Sequence, residues 1–300
     1  MGDRWIAPAP MLAQVVRRLT RVLAPPAASY VPLRAAGSTV GWLTPARVRR
    51  LERWPRYFAV GTRSVDCAPS LATPAARTEA FAEVARALAS EGALTAWRDE
   101  RYAVAAEPGG PALFELERAA ARYFGIHTFA VHASGLVGTE DGWRMWLARR
   151  SPAKPIDPGL LDNLVGGGIP SGAGVEATMV REAWEEAGIA PDAARQARPA
   201  GEVRICRDQP DGMQRETIYV HDLWLPTSFA PVNQDGEATG HRLWSPQEVL
   251  AAIATDDVTA DASLVVVDFL LRHGHVAQSD ASFAALHALR STSTSHRGQA

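Results

Sequence analysis

Residues 166 to 189 read GGGIPSGAGVEATMVREAWEEAGI. The first part is glycine-rich: Gly166, Gly167, Gly168, Gly172 and Gly174 let a backbone approach a bound group closely and adopt positive φ. The second part predicts a helix that stops at Gly188, where a C-cap glycine belongs, with Pro191 soon after. On that helix Glu182, Glu185 and Glu186 stand at i, i+3 and i+4 and share one face. Met179, Ala183, Trp184 and Ala187 are left to pack on a sheet. Clustered carboxylates with only Arg181 nearby repel one another. Such oxygen-rich clusters suit hard cations such as magnesium, which binds carboxylates together with substrate phosphates. A glycine-rich loop running into an acidic helix therefore reads as a metal and phosphate site. A solvated acidic helix is the plainer alternative. The fixed spacing Arg-Glu-x-x-Glu-Glu-x-Gly weighs against it.

Around this stretch the texture changes near Gly125. Downstream, residues 126–133 and 143–148 predict the strands of a hairpin. Residues 262–273 predict a late helix. Upstream, residues 11–23 carry Leu12, Val15, Val16, Leu19 and Val22 at steps of three and four, which predicts a first helix with one apolar face. Its Arg17, Arg18 and Arg21 exclude a secretory signal core but also fit an amphipathic mitochondrial presequence. Residues 30–43 read as short strands around Gly37-Ser38, 78–90 as an amphipathic helix, 102–106 as a strand and 113–124 as a further helix. The expected division is an α+β domain over 1–125, a second domain over 126–285 and a disordered tail over 286–300.

Composition narrows the class. With 300 residues, 47% hydrophobic and 21% charged, the chain can bury a substantial core. A formal charge of -2 gives no reason to expect nucleic acid or an anionic membrane surface as partner. No stretch is long and apolar enough to predict a transmembrane helix. Cys67 and Cys206 supply neither a disulfide framework nor a structural zinc site, so a reducing, cytoplasmic setting is expected.

The segment resembles the Nudix box: Gly, five residues, Glu, seven residues, then Arg-Glu-aliphatic-x-Glu-Glu-x-Gly-aliphatic. Gly167, Arg181, Glu182, Glu185, Glu186, Gly188 and Ile189 fall on it. Ala173 replaces the first Glu, and Ala183 a larger aliphatic. The flanks over 146–172, 210–226 and 229–238, with the N-terminal sequence, are similar to the Nudix proteins related to fungal thiamine pyrophosphokinase. That resemblance spans about residues 11 to 275. It implies a Nudix α/β/α sandwich with a mixed sheet, in the α/β class, preceded by a smaller α+β domain. It implies a hydrolase that uses Mg²⁺ or Mn²⁺ on a small-molecule diphosphate. The expected substrate is thiamine diphosphate or its damaged oxo and oxy forms, cleaved to the monophosphate and phosphate as repair of the cofactor pool. By this similarity Glu185 and Glu186 are metal ligands and Glu182 a ligand or base. Arg181 orients the glutamates, and the Gly167 carbonyl completes the metal site.

Other candidates follow from position. Glu237, on the loop Gln234-Asp235-Gly236-Glu237, is a further metal ligand or a turn residue. Glu216, matching the subgroup's Gln-x-Glu, is a ligand or substrate contact. Lys154 and Arg150 precede the glycine-rich segment and could bind a diphosphate as point charge and fork. His127 and His132 read as structural. Trp143, Trp146, Trp184 and Trp224 read as core more than as stacking platforms. A pyrophosphatase for ADP-ribose or another nucleoside diphosphate derivative, and a non-catalytic module that binds a metabolite, stay open.

Overall fold

The computed structural model describes residues 5–27, 29–140 and 142–291. The chain begins with α1 (Ala9–Val22), which carries Pro10 in its first turn, where no backbone N–H is needed. An antiparallel pair follows, β1 (Val31–Ala35) and β2 (Ser38–Leu43), turning at Ala36-Gly37 with both residues at positive φ. Then come α2 (Pro45–Leu51), β3 (Phe58–Val60), β4 (Val65–Cys67) and α3 (Pro74–Ser90). The hairpin of β5 (Arg101–Val104) and β6 (Phe114–Glu117) comes next, then a 3-10 turn at Arg118–Ala120 and α4 (Ala121–Phe124). One core holds this region together. Phe81 of α3 stacks on Phe114 of β6 at 4.3 Å, among Leu33, Val65, Val84, Leu88 and Phe124.

Gly125, at φ 60, turns the chain into the second region. Its elements are β7 (His127–Thr139), β8 (Gly142–Arg150), β9 (Leu161–Asn163), β10 (Val165–Gly168), α5 (Val175–Ala187) and α6 (Pro191–Ala194). They continue as β11 (Arg198–Gln209), β12 (Gly212–Leu225), β13 (Ala238–Trp244), α7 (Pro246–Ile253), α8 (Ala260–Arg272) and α9 (Phe283–Leu289). The strands form one mixed sheet in the order β11-β12-β7-β8-β13, with β10 on β7 and β9 on β8. The pair β7–β12 is parallel, while β7–β8, the expected hairpin, is antiparallel. Alternating side chains of the sheet feed two cores. Leu136, Met145, Leu147, Ile218 and Val220 meet α7 and α8 on one face. Val131, Ala133, Val137 and Leu223 meet Met179 and Ala183 of α5 on the other. The arrangement is the expected α/β/α sandwich with a mixed sheet.

Four expectations change. First, α1 does not pack on the elements that follow it. Leu12, Val15 and Leu19 join the core of α7, α8 and α9, so the 1–125 division does not match the packing. Arg18 explains the attachment. Its guanidinium, side chain 6% exposed, donates to Ser263 Oγ at 2.8 Å and to the carbonyls of Ile253 and Val258. Second, residues 113–124 are not one helix. Phe114 and Leu116 are buried on one face in a period of two, and β6 pairs with β5. Third, residues 286–291 are ordered against the fold: α9 runs through 289, and Arg290 pairs with the buried Asp268 at 2.7 Å. Residues 292–300 of the expected tail lie outside the described residues. Fourth, Trp184 and Trp224 are 49% and 43% exposed and are not core. Trp224 points away from the core that its neighbours Leu223 and Leu225 enter, and Trp184 lies outside the packed face of α5.

Candidate active site

The glycine-rich segment becomes β10, paired antiparallel with β7 through Gly167↔Val131 and Gly168↔Ala130. After a turn at Gly172, Gly174 caps α5 at its N-terminus, and the carbonyl of Gly174 accepts from Thr178 Oγ1 at 2.9 Å. Gly188, at φ 64, ends the helix, with the Ile189 N–H bonding the Ala183 carbonyl. These caps fix the glutamate face against β10. A Cβ at Gly167 would run into the Glu182 carboxyl, so any larger residue must push that carboxyl aside. The glycine thus serves the close approach of the glutamate, not its own φ.

Glu182 and Glu186 lie almost out of solvent, with side chains 10% and 13% exposed. Burial raises the Glu182 carboxyl to about 7; Arg181 opposes that rise and Glu185 adds to it. Glu186 is raised well above the ordinary carboxylate range, by burial first and by the charge of Glu182 next. Its Oε2 accepts from the Gly166 N–H. Arg181 donates to Glu182 at 2.6 Å and to Glu185 at 2.7 Å.

The loop carrying Glu237 is tied to this helix end. Gln234 N–H bonds the Glu185 carbonyl at 2.7 Å and Val232 N–H the Ala187 carbonyl at 3.0 Å. Lys154, the single lysine of the chain, pairs with Glu237 and stands 4.0 Å from Glu186. Burial works to raise the Glu237 carboxyl, but Lys154 and Arg98 outweigh it and hold the carboxyl low.

Arg181, Glu182, Glu185, Lys154, Glu237 and Arg98 line one cavity of 330 Å³, which Glu186 borders through Lys154 and Gly166. Its size is in the range of small-molecule sites. Ten acidic side chains line it against six basic ones. Glu216 also reaches it, from β12, which pairs with β7 on the side away from the box strand β10, and accepts from Thr128 Oγ1 and Gln214 Nε2, each at 3.0 Å. Arg150 reaches it too, but its donors serve Asp162 and the carbonyls of Ile156 and Asp157, which brace its own loop. His132 lines the cavity while bonding Asn163. His127 bonds Thr217, and burial lowers it to about 4.

Among the described residues, no three Asp, Glu, His or Cys side chains converge closely enough to clasp a metal ion as they stand. Arg181 draws Glu182 and Glu185 to itself, and Lys154 holds Glu237. The donor set still fits a hard divalent cation. Two buried carboxylates meet adjacent glycines of β10, Glu182 in a space that a Cβ on Gly167 would fill and Glu186 at the Gly166 N–H, and the cavity has an excess of acid.

Sequence reasoning missed one wall of the cavity. Arg98, Glu100, Tyr102, Arg118 and Arg122 all come from before Gly125. The β5–β6 hairpin leans on the box loop: the Ser171 N–H bonds the Arg101 carbonyl at 2.7 Å, and Ser171 Oγ donates to Glu115 at 2.6 Å. The Tyr102 hydroxyl fills the space where Gly168 would carry a side chain. No local pattern announces this wall, because docking alone assembles it.

The sequence matches the family described as NUDIX domain over residues 128–264, and the family described as Domain of unknown function (DUF4743) over residues 11–128. Among curated proteins, Nudix hydrolase 20, chloroplastic, of Arabidopsis thaliana is 37% identical over 218 residues, covering 72% of this chain and 58% of that protein. Nudix hydrolase 24, chloroplastic, of the same plant is 39% identical over 202 residues, covering 67% and 55%. The chain thus spans a little over half the length of these two relatives. A crystal structure from Deinococcus radiodurans is 24% identical, covers 57% of this chain and 98% of that chain, and has a TM-score of 0.43. Residues 128–264 of this chain are a Nudix domain, and the hairpin that walls its cavity belongs to the DUF4743 domain before it.

Proposed function

We propose that the protein is a metal-dependent hydrolase of a diphosphate linkage, with thiamine diphosphate or its damaged oxo and oxy forms as the preferred substrate. The observation that carries the hydrolase reading is that two buried box carboxylates meet adjacent glycines of β10, Glu182 at Gly167 and Glu186 at Gly166, beside Lys154. A bound Mg²⁺ or Mn²⁺ would neutralise the diphosphate and lower the pKa of the attacking water. Glu185, Glu186, Glu237 and the Gly167 carbonyl are the proposed ligands. Glu182, with a carboxyl that titrates at about 7, is suited to take the water proton. Arg181 orients Glu182 and Glu185, while Lys154 and Glu216 face the substrate. Water oxygen joins the attacked phosphorus, the bridging P–O bond breaks, and monophosphate and phosphate leave.

Two features support the thiamine class. The sequence flanks resemble that subgroup. The cavity is also lined by Glu216, Asp261 and Asp157, acceptors that suit a positively charged, amino-bearing organic group. The test is a phosphate-release panel with Mg²⁺ on thiamine diphosphate, oxothiamine diphosphate, ADP-ribose and nucleoside triphosphates. Release from the oxo compound ahead of the others supports the assignment. Rapid turnover of ADP-ribose with none of the thiamine compounds overturns the substrate. No turnover of any compound at saturating metal favours the binding module.

A further inference from the structure

We propose that Arg118, from the DUF4743 domain, is a substrate-binding residue whose guanidinium edge clasps phosphoryl oxygens of the diphosphate held at the box. The inference rests on the diphosphate reading above and extends it to the preceding domain.

The cations of the cavity differ in how firmly they are held. Lys154 is paired with Glu237, and Arg98 donates to the same carboxylate at 3.0 Å. Arg150 is held by Asp162 at 2.7 Å, and Arg181 by Glu182 and Glu185 at 2.6 and 2.7 Å. Arg118 differs. Its Nη1 touches Glu100 at 3.3 and 3.4 Å, and its Nε and Nη2 make no hydrogen bond among the described residues. Contacts this long, between side chains 37% and 26% exposed, do not account for an arginine aimed into a cavity. Arg122 is also loosely held, 3.7 Å from Asp211, but the charge acting on Glu182 of the box is that of Arg118. An undedicated planar fork matches phosphate geometry.

Arg118 is also pre-positioned. Its N–H bonds the Glu100 carbonyl at 2.8 Å. The buried Glu117 carboxylate next to it accepts from the N–H groups of Arg98 and Ala119 at 3.1 and 3.3 Å, so one anion fixes both arginine-bearing segments. The guanidinium lies 5.8 Å over the Tyr102 ring, and Tyr102 is seated on Gly168 of the box loop. The hairpin therefore carries Arg118 into register with the glutamates.

The test uses the full chain with Mg²⁺ and methylenediphosphonate, a non-hydrolysable diphosphate, followed by calorimetry. Arg118→Ala should weaken binding by roughly 10- to 100-fold, the range for losing hydrogen bonds to a charged group. Arg118→Lys should fall between it and wild type, since charge returns without the fork. Mn²⁺ binding without the diphosphonate, measured well above pH 7 where Glu182 is ionised with or without Arg118, should not weaken, which a role in placing Glu182 would not predict. With any substrate the wild type turns over, KM should rise more than kcat falls. Methylenediphosphonate binding at wild-type strength in either variant overturns the proposal, and so does a wild type that does not bind it. If Arg118→Ala lowers the melting temperature sharply, Arg118→Lys decides. The calorimetric arm does not depend on the organic part of the substrate. Failure of the thiamine panel therefore leaves this result standing, and the reverse holds as well.

Discussion

The Gly166 N–H donates to Glu186 Oε2 at 2.7 Å, so the last glutamate of the box helix closes onto the strand that begins the glycine segment. Glu186→Gln keeps an oxygen for this bond and removes the charge. The melting temperature in EDTA should hold or rise, because a neutral amide replaces a buried carboxyl that its surroundings push toward the protonated form. Phosphate release should fall by at least about 100-fold, beyond the loss typical of groups that only support a metal ligand. Wild-type turnover in this variant would remove Glu186 from the proposed ligands.

Gly167→Ala tests the cradle by volume instead of charge. The added methyl must displace the Glu182 carboxyl. Overpacking of this kind costs about 1–3 kcal/mol. Denaturation should show that loss, and Mn²⁺ affinity should drop with it. Unchanged metal affinity in a destabilised protein would separate the cradle from the metal.

Glu182 makes a pH prediction with a definite sign. Its carboxyl holds a proton to about 7 in the folded protein, against an ordinary 4.5. Between these values the folded state binds more protons than the unfolded state, so Glu182 makes stability fall as pH rises. His127, lowered to about 4, works in the opposite direction, so the whole-protein curve mixes both. The difference between Glu182→Gln and wild type isolates the term. In EDTA the variant should gain stability relative to wild type from pH 4.5 to 7, then level off. Metal affinity of the wild type should climb over the same interval. A flat difference would contradict the buried, protonated Glu182.

Arg18→Met probes the first helix. The substitution leaves the carbonyls of Ile253 and Val258 without their Arg18 donor inside the core, while Ser263 Oγ keeps its bond to the Thr259 carbonyl. Each buried orphan costs about 1–3 kcal/mol, so chemical denaturation should show a loss of at least about 2 kcal/mol. Turnover per folded molecule should stay the same, because Arg18 does not line the cavity.

The second half of the fold was readable because its information is local. The spacing of Glu182, Glu185 and Glu186, the cap at Gly188 and the alternation after Gly125 each sit within one turn or one hairpin. The failures share a different cause. Phe114 and Leu116 alternate over only four residues, too short a run to outweigh the alanines that follow. The destination of α1 depends on partners more than two hundred residues away. Lys154 and Glu237 could be named singly, but their pairing depends on how β13 and the loop before it return to β8. Arg118 and Tyr102 had no sequence signal, since only the docking of the hairpin makes them part of the site.

The attachment of α1 also sets a timetable. Arg18 and Asp256 are 238 positions apart, so ribosomal synthesis delivers the helix long before its seat. At about 5–20 residues per second the wait is roughly 10–50 s. Over that interval the nascent chain carries an amphipathic, arginine-studded segment with no groove to occupy. The Nudix core can close only after α7 and α8 have emerged, whatever the DUF4743 region does first. Released early, the growing chain would show chaperones the same features that make residues 11–23 resemble an organelle presequence.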